Sequence, residues 1–286
     1  MNRRQFIKTE IALAASMFFK NDIFAGGFQP ELTPYFPWQL AATFSICAVD
    51  PETGEAGVAV ASHCLSVGAL VPYAEPGVGA IATQAYVNPE YGSKGLEYLR
   101  QGKSAAETLA LLTKADITVT PDKPEIKKKY TAEQMTKEGT DFTIDKKTGS
   151  ITWFTSRIRQ AGIVDAKGTV ATHTGACTFP WNGSVTGQSY TCQGNLLAGE
   201  RVVKAMAETF EKEREKTPQL VKPLFAALEA GDINGGDKRG KMAAGILAVR
   251  KGAHWSGNDR YCDVRVDFHT EPVKELGRIL KTNKII

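Results

Sequence analysis

The stretch TFSICAVDPETGEAGVAVAS, residues 43–62, decides how the chain is read. Two apolar, β-rich runs, Thr43–Val49 and Gly57–Ser62, flank Asp50-Pro51-Glu52-Thr53-Gly54-Glu55, where proline and glycine supply the dihedrals of a turn. The pattern predicts a β-hairpin whose first strand starts at a hydroxyl residue, Thr43. In a regular antiparallel pair, Ser62 at the end of the second strand then lies beside Thr43.

Downstream, Ala69–Ala74 and Val78–Thr83 are apolar runs broken by Glu75-Pro76-Gly77, too continuously hydrophobic to have a wet face, so they read as internal strands. Glu90–Gln101 reads as a helix. Ser104-Ala105-Ala106-Glu107 is a capping box that starts another. Residues 116–156 change texture: they are polar and unpatterned around Pro121, Pro124 and Lys127–Lys129, with a hairpin signal at Asp141–Ile144 and Ser150–Thr155. They read as a surface insertion. Strand signals return at Arg157–Val164, Thr169–His173 and Ser189–Gln193, followed by helices over Ala198–Arg214 and Gln219–Ala230. A strand at Ala243–Arg250, another at Asp263–Phe268 and a helix at Pro272–Thr282 close the chain. Strand pairs alternating with helix pairs predict an α+β fold with helices outside stacked, mainly antiparallel sheets, and residues 43–286 read as one domain.

Upstream, Asn2-Arg3-Arg4-Gln5-Phe6-Ile7-Lys8 ahead of the short apolar stretch Ile11–Phe19 resembles a twin-arginine export signal, with a cleavage position after Ala25. That stretch is far below the roughly 20 residues needed to span a bilayer. Export predicts a periplasmic or secreted protein, without a membrane partner once the signal is gone. Gly26–Ala42 reads as a linker or pro-segment. Half of the formal net charge of +4 lies in the first 25 residues, so the remainder carries too little excess charge to imply a nucleic-acid surface. The five cysteines include no CxxC, and the four histidines are scattered, so no zinc site and no cofactor are expected. Cys177 and Cys192 flank a loop and are open to pairing, with buried small thiols as the alternative.

Several motifs together resemble the domain of unknown function 1028 family, grouped with the N-terminal-nucleophile (Ntn) hydrolases. They are Thr43-Phe44-Ser45-Ile46, the turn Asp50–Glu55, Gly57–Ser62, Gly77–Ala85, Asn88-Pro89-Glu90-Tyr91-Gly92, His173-Thr174-Gly175, Gln193-Gly194-Asn195, Gly235-Gly236-Asp237, and Asp263–Asp267 with His269. The resemblance implies a four-layer αββα sandwich and amide hydrolysis by an N-terminal nucleophile. In that chemistry the first residue's own α-amine, with a reference pKa of about 7.7–8.0, takes the proton of its hydroxyl. Thr43 would be that residue only if the bond from Ala42 is cut, whereas many relatives expose theirs by losing an initiator methionine. If the bond stays whole, the alternative is a catalytically inactive scaffold that binds a ligand or partner.

Thr43, Ser62 and Asn195 are the candidate catalytic residues. Gln84, Asn88, Thr174, Gly175 and Asp237 are candidates for substrate or oxyanion binding. Each has a plain structural alternative: a satisfied core serine at Ser62, loop-tying side chains at Gln84 and Asn88, turn residues at Thr174, Gly175 and Asn195, and a loop ion pair at Asp237. Asp263, Arg265 and Asp267 share one face of the last strand and read as an ion-pair group, with no metal site assigned. His173 reads as a structural histidine, and Tyr86, Tyr91 and Trp153 as pocket lining or core. A small-molecule or peptide substrate and possible self-association complete the expectation.

Overall fold

The computed structural model describes residues 40–41, 43–120, 142–144, 151–176, 178–253, 257 and 259–286, all within one unit, Trp38–Ile286. The expected export signal over residues 1–25, nearly all of the expected linker, most of the expected 116–156 insertion and Cys177 lie outside the described residues.

The opening hairpin forms as its sequence dictates. Strands β2 (Thr43–Asp50) and β3 (Glu55–Ser62) pair antiparallel in the register Thr43↔Ser62 through Asp50↔Glu55. At the turn Gly54 takes φ +70°, a dihedral that suits a residue without Cβ. The hairpin is the centre of a six-stranded antiparallel sheet. It is flanked by β12 (Tyr190–Asn195) and β11 (Gly183–Gly187) on one side, and by β13 (Ala243–Val249) and β14 (Arg260–Val266) on the other. In the second sheet β5 (Gly79–Tyr86) pairs along one edge with β9 (Arg159–Asp165), which pairs with β10 (Val170–Thr174). Along its other edge lie β4 (Pro72–Glu75) and β1 (Leu40–Ala41). A small third sheet has the order β6 (Ile117–Thr120), β8 (Ile151–Phe154), β7 (Phe142–Ile144).

Six α-helices are found among the described residues: α1 (Val67–Leu70), α2 (Glu90–Arg100), α3 (Ala105–Ala115), α4 (Arg201–Arg214), α5 (Val221–Ile233) and α6 (Pro272–Thr282). The chain is therefore a mixed α+β protein with two main antiparallel sheets. Helix α3 starts at the expected capping box: Ser104 Oγ accepts from the Glu107 amide, and the Glu107 carboxylate accepts from the Ser104 amide at 2.8 Å.

Side-chain alternation sorts each strand onto two faces. Phe44, Ile46, Ala59, Ala61 and Cys192 point to the cluster under α4, α5 and α6, with Val203, Met206, Phe210, Leu224, Leu228 and Leu276. Ile81, Ala161 and Ile163 point to the cluster under α2 and α3, with Tyr91, Leu99 and Leu112. Between the sheets, Cys47, Val49, Val58 and Val60 meet Ala80, Ala82 and Val164. Among the described residues, the members of all three clusters begin at Phe44.

Three sequence expectations are corrected. The run Ala69–Ala74 is not one strand, because α1 ends at Leu70 and β4 begins at Pro72. A short apolar run carries no period long enough to separate a helical turn from a strand. Strand β11 was not expected, since its glycine-bounded GSVTG has few apolar residues. The last strand starts at Arg260 and ends at Val266, rather than spanning Asp263–Phe268; it is an edge strand with most side chains at least partly exposed, which hides its boundaries.

At the turn end of the hairpin, Glu55 is buried and accepts hydrogen bonds from the Leu220 amide (2.9 Å) and the Tyr261 hydroxyl. Burial raises its carboxyl above the ordinary glutamate value, against the opposing pull of the Leu220 amide and Arg250. A carboxyl raised in the folded state binds more protons there than when unfolded, so its ionisation costs stability as pH rises through that window. Glu55→Gln is therefore expected to melt higher than the parent at pH 7, with the gain vanishing below the ordinary glutamate range. Paired melting curves at pH 7 and pH 4 check this; a variant that loses stability at pH 7 would refute it.

Candidate functional site

The layer between the two sheets is apolar at one end and polar at the other. Continuing the alternation of Cys47, Val58, Ala82 and Val164 places Thr43, Ser45, Ser62, Gln84, Gln160, Thr191, Gln193 and Asn195 on the same inner faces, and each of these side chains is completely buried. Eight buried polar side chains are costly unless they satisfy one another.

They do so largely through Gln160. Its Oε1 accepts from Gln84 Nε2 at 2.8 Å and from Asn195 Nδ2 at 3.0 Å. Its Nε2 donates to the Gly194 carbonyl at 2.8 Å, Thr174 Oγ1 at 2.9 Å and the Gly183 carbonyl at 3.3 Å. Ser45 Oγ donates to Gln84 Oε1 at 2.6 Å and receives Gln193 Nε2 at 2.6 Å, while Thr191 Oγ1 donates to Gln193 Oε1 at 3.0 Å. Thr43 enters the network through its hydroxyl and its carbonyl. Its Oγ1 lies 3.3 Å from Ser62 Oγ, and its carbonyl accepts from Gln84 Nε2 at 3.4 Å. The backbone brings the same groups together, because Thr43 pairs with Ser62 on one side and with Asn195 on the other.

Two features mark this end of the layer as more than a satisfied core. Asn195 Oδ1 is buried without a hydrogen-bond partner, although native interiors pair nearly all such atoms. The residues that follow the two flanking amides, Ala85 after Gln84 and Leu196 after Asn195, take φ +67° and +52°, a left-handed conformation that costs a residue with Cβ about 1–2 kcal/mol. The chain also changes sheets here: β1 ends at Ala41 on the edge of β5, and β2 begins at Thr43 in the other sheet.

The remaining candidates have visible partners. Thr174 joins the network through Gln160. Gly175 donates its amide to the Arg159 carbonyl at 2.9 Å, and a Cβ on it would sit 2.2 Å from the Arg157 carbonyl oxygen, so the close approach requires glycine. Asp237 receives the His63 amide at 3.1 Å, the Arg239 amide at 2.9 Å and the Arg239 guanidinium at 2.7 Å. Through its backbone bridge to Leu197, Asp237 ties together the chain ends that leave Ser62 and Asn195, and so acts as a clamp on the site. Asn88 accepts from the Glu90 amide at 3.1 Å at the start of α2, and reaches Asp116 at 3.5 Å. Tyr91 and Arg159 also bind Asp116, so Asn88 belongs to that cluster. His173 Nε2 lies 2.8 Å from the Ser156 carbonyl, and Asp263 pairs with Arg260 and Arg265. Cys192 is a buried free thiol; its suggested partner, Cys177, lies outside the described residues. Burial raises the Cys47 thiol far above its ordinary range and pushes Cys64 up to about 11, so neither is poised as a thiolate nucleophile.

Sequence reading missed Gln160, Ser45 and Gln193. The signal was present: Gln160 alternates with Gly162 and Val164 on one face of its strand, while Ser45 shares its face with Thr43, and Gln193 with Thr191 and Asn195. What that signal lacks is the meeting of three distant strands at one end of the layer.

With this geometry in place, the family of unknown function DUF1028 matches residues 43–121 and 144–276. The chain belongs to the DUF1028 family. The match begins at Thr43 itself and passes over residues 122–143. The crystal structure of protein SPO2555 from Silicibacter pomeroyi, described with the DUF1028 family, is similar to this chain. It is 26% identical, covers 85% of this chain and 89% of its own, and superposes with a TM-score of 0.61. No curated protein matches. Membership in DUF1028 therefore brings a shared fold without an activity attached to it.

Proposed function

We propose that this DUF1028 chain is an exported Ntn-type hydrolase that cleaves an amide bond through Thr43, after the bond from Ala42 to Thr43 is cut. On this reading the two sheets, with α2 and α3 outside one and α4 to α6 outside the other, are the four-layer αββα sandwich of that superfamily. Met1–Ala25 is the export signal, and residues 26–42 are a pro-segment. The observation that carries the proposal is the position of Thr43. It is the first residue of a central strand, at the polar end of the inter-sheet layer, with its hydroxyl on Ser62 and Asn195 paired to its backbone.

The side chains ranged around Thr43, namely Ser62, Gln84, Gln160 and Asn195, are all neutral, so the base is best supplied by the α-amine that the cut releases. That amine takes the hydroxyl proton as Thr43 Oγ1 attacks the substrate carbonyl. The tetrahedral oxyanion is held by amide donors such as Asn195 Nδ2, where one donor is typically worth about 3–4 kcal/mol. Collapse breaks the C–N bond and returns the proton to the leaving amine. Water, activated by the same α-amine, then hydrolyses the Thr43 ester. The net change is one amide plus one water to one acid and one amine.

A test is acylation by p-nitrophenyl acetate of the chain that begins at Thr43. The N-terminal peptide is expected to gain one acetyl group that hydroxylamine removes, as an ester on the hydroxyl requires. No acetylation, or a hydroxylamine-stable amide alone, counts against the nucleophile. One observation favours a second reading: Thr43 is fully buried while residues precede it. If the bond stays whole in the mature protein, the chain is a catalytically inactive scaffold that binds a ligand or partner.

A further inference from the structure

The two residues ahead of the cut carry information about the substrate. Strand β1 lies antiparallel on β5, with Leu40 opposite Tyr86 and Ala41 opposite Ala85. The opposite edge of β5 is occupied by β9, with Arg159 opposite Ala85 and Gln160 opposite Gln84. Strand β4 shares the β1 edge but covers only Gly79 to Ala82. Among the described residues, Ala85 and Tyr86 therefore have no strand partner on that edge except β1. Once β1 is released, they become a short open sheet edge next to Thr43.

This edge is held in shape from behind. Arg159 Nη1 donates to the Tyr86 carbonyl at 2.8 Å, and its Nε is fixed by Asp116 at 2.9 Å in a largely buried ion pair. Ala85 is locked at φ +67°. An ordered, unpaired strand edge is a template for an added strand, whose main-chain hydrogen bonds give affinity without regard to side chains.

We infer that the substrate is a peptide or peptide-like amide whose acyl side is extended over at least two residues and adds to β5 as an antiparallel strand, in the place that β1 occupies. This rests on the proposed reading of Thr43 as the nucleophile. The first acyl group presented to Thr43 is its own: Ala42 is bonded to its nitrogen, and Ala41 and Leu40 run back along β5. The amides that stabilise the oxyanion are fixed by the Gln160 network, so a foreign carbonyl must reach the same place. Its acyl chain then leaves along the Ala85–Tyr86 edge, the stretch beside Thr43 that the chain's own Leu40-Ala41 occupies. Alanine at the residue bearing the carbonyl marks a small side chain there. The step is the amide hydrolysis written above, with the extended peptide as the acyl group.

The probe is acetyl-Leu-Ala-Ala-amide, added to the Thr43→Ala chain that begins at residue 43, so that binding is read without turnover. Every described member of the three apolar clusters lies downstream of that start, so this chain keeps those core residues. Neighbouring residues of a strand point their amides to opposite edges, so hydrogen exchange is expected to slow at whichever of the Ala85 and Tyr86 amides faces the added strand. Methylating the peptide's backbone nitrogens is expected to weaken binding about tenfold by removing donors to the edge. No binding, binding without protection at either of these amides, or equal affinity of the methylated peptide would each overturn the inference. Acetylation of Thr43 by a small ester is scored separately on the unmutated chain. Acetylation without strand addition rejects the substrate class and keeps the nucleophile, and protection without acetylation does the reverse.

Discussion

Thr43→Ala, made in the chain that begins at residue 43, is expected to lower acyl transfer by about 10⁴-fold or more, the usual cost of deleting a nucleophile that works as a unit with its base. The loss falls on kcat, because the fold around position 43 is set by main-chain pairing to Ser62 and Asn195 and alanine fits that strand. Thr43→Ser keeps a hydroxyl and an α-amine and is expected to retain activity. In both active forms kcat/KM rises with pH and levels off above about 7.7–8.0, where the α-amine is deprotonated. An alanine variant that keeps more than a tenth of the parent rate, or a profile with no inflection in that range, assigns the chemistry to another group.

The second large effect belongs to Gln160. Replacing it with leucine conserves much of the volume but strips the network of its hub. Asn195 Nδ2 loses the acceptor at 3.0 Å while its Oδ1 already lacks a donor, and the Gly194 carbonyl loses a donor at 2.8 Å. Each buried group left unsatisfied costs about 1–3 kcal/mol, so Gln160→Leu is expected to destabilise the protein by about 4 kcal/mol. That is a large share of a typical net stability of about 5–15 kcal/mol. Urea denaturation reads it as a lower midpoint at unchanged slope. A loss under about 1 kcal/mol would mean that the inter-sheet amides are held by other contacts.

The parts of the fold that could be read from sequence are those written locally. The hairpin at residues 43–62 follows from Pro51 and Gly54 between alternating strands, and Ser104 with Glu107 announces α3. Its register put Ser62 beside Thr43, and the distance between their hydroxyls bears this out at 3.3 Å. Harder features depend on contacts between remote segments. Gln160 is one polar residue on an otherwise ordinary strand, and only the meeting of β5, β9 and β12 makes it a hub. The Asp237 loop reads as a lone Gly-Gly-Asp until its carboxylate is seen holding the chain just past Ser62. The passage from β1 in one sheet to β2 in the other has only a weak sequence signature, because the two small alanines, Ala41 and Ala42, permit a close turn without requiring one.

The same two alanines carry the central claim. The N-terminal residue of the mature protein, recovered after export and determined by N-terminal sequencing with intact mass, tests it most directly. A chain that starts at Thr43 is the expected result. A chain that starts at Gly26 and loses nothing further leaves Thr43 as an acylated, buried residue without a basic amine, and contradicts the hydrolase.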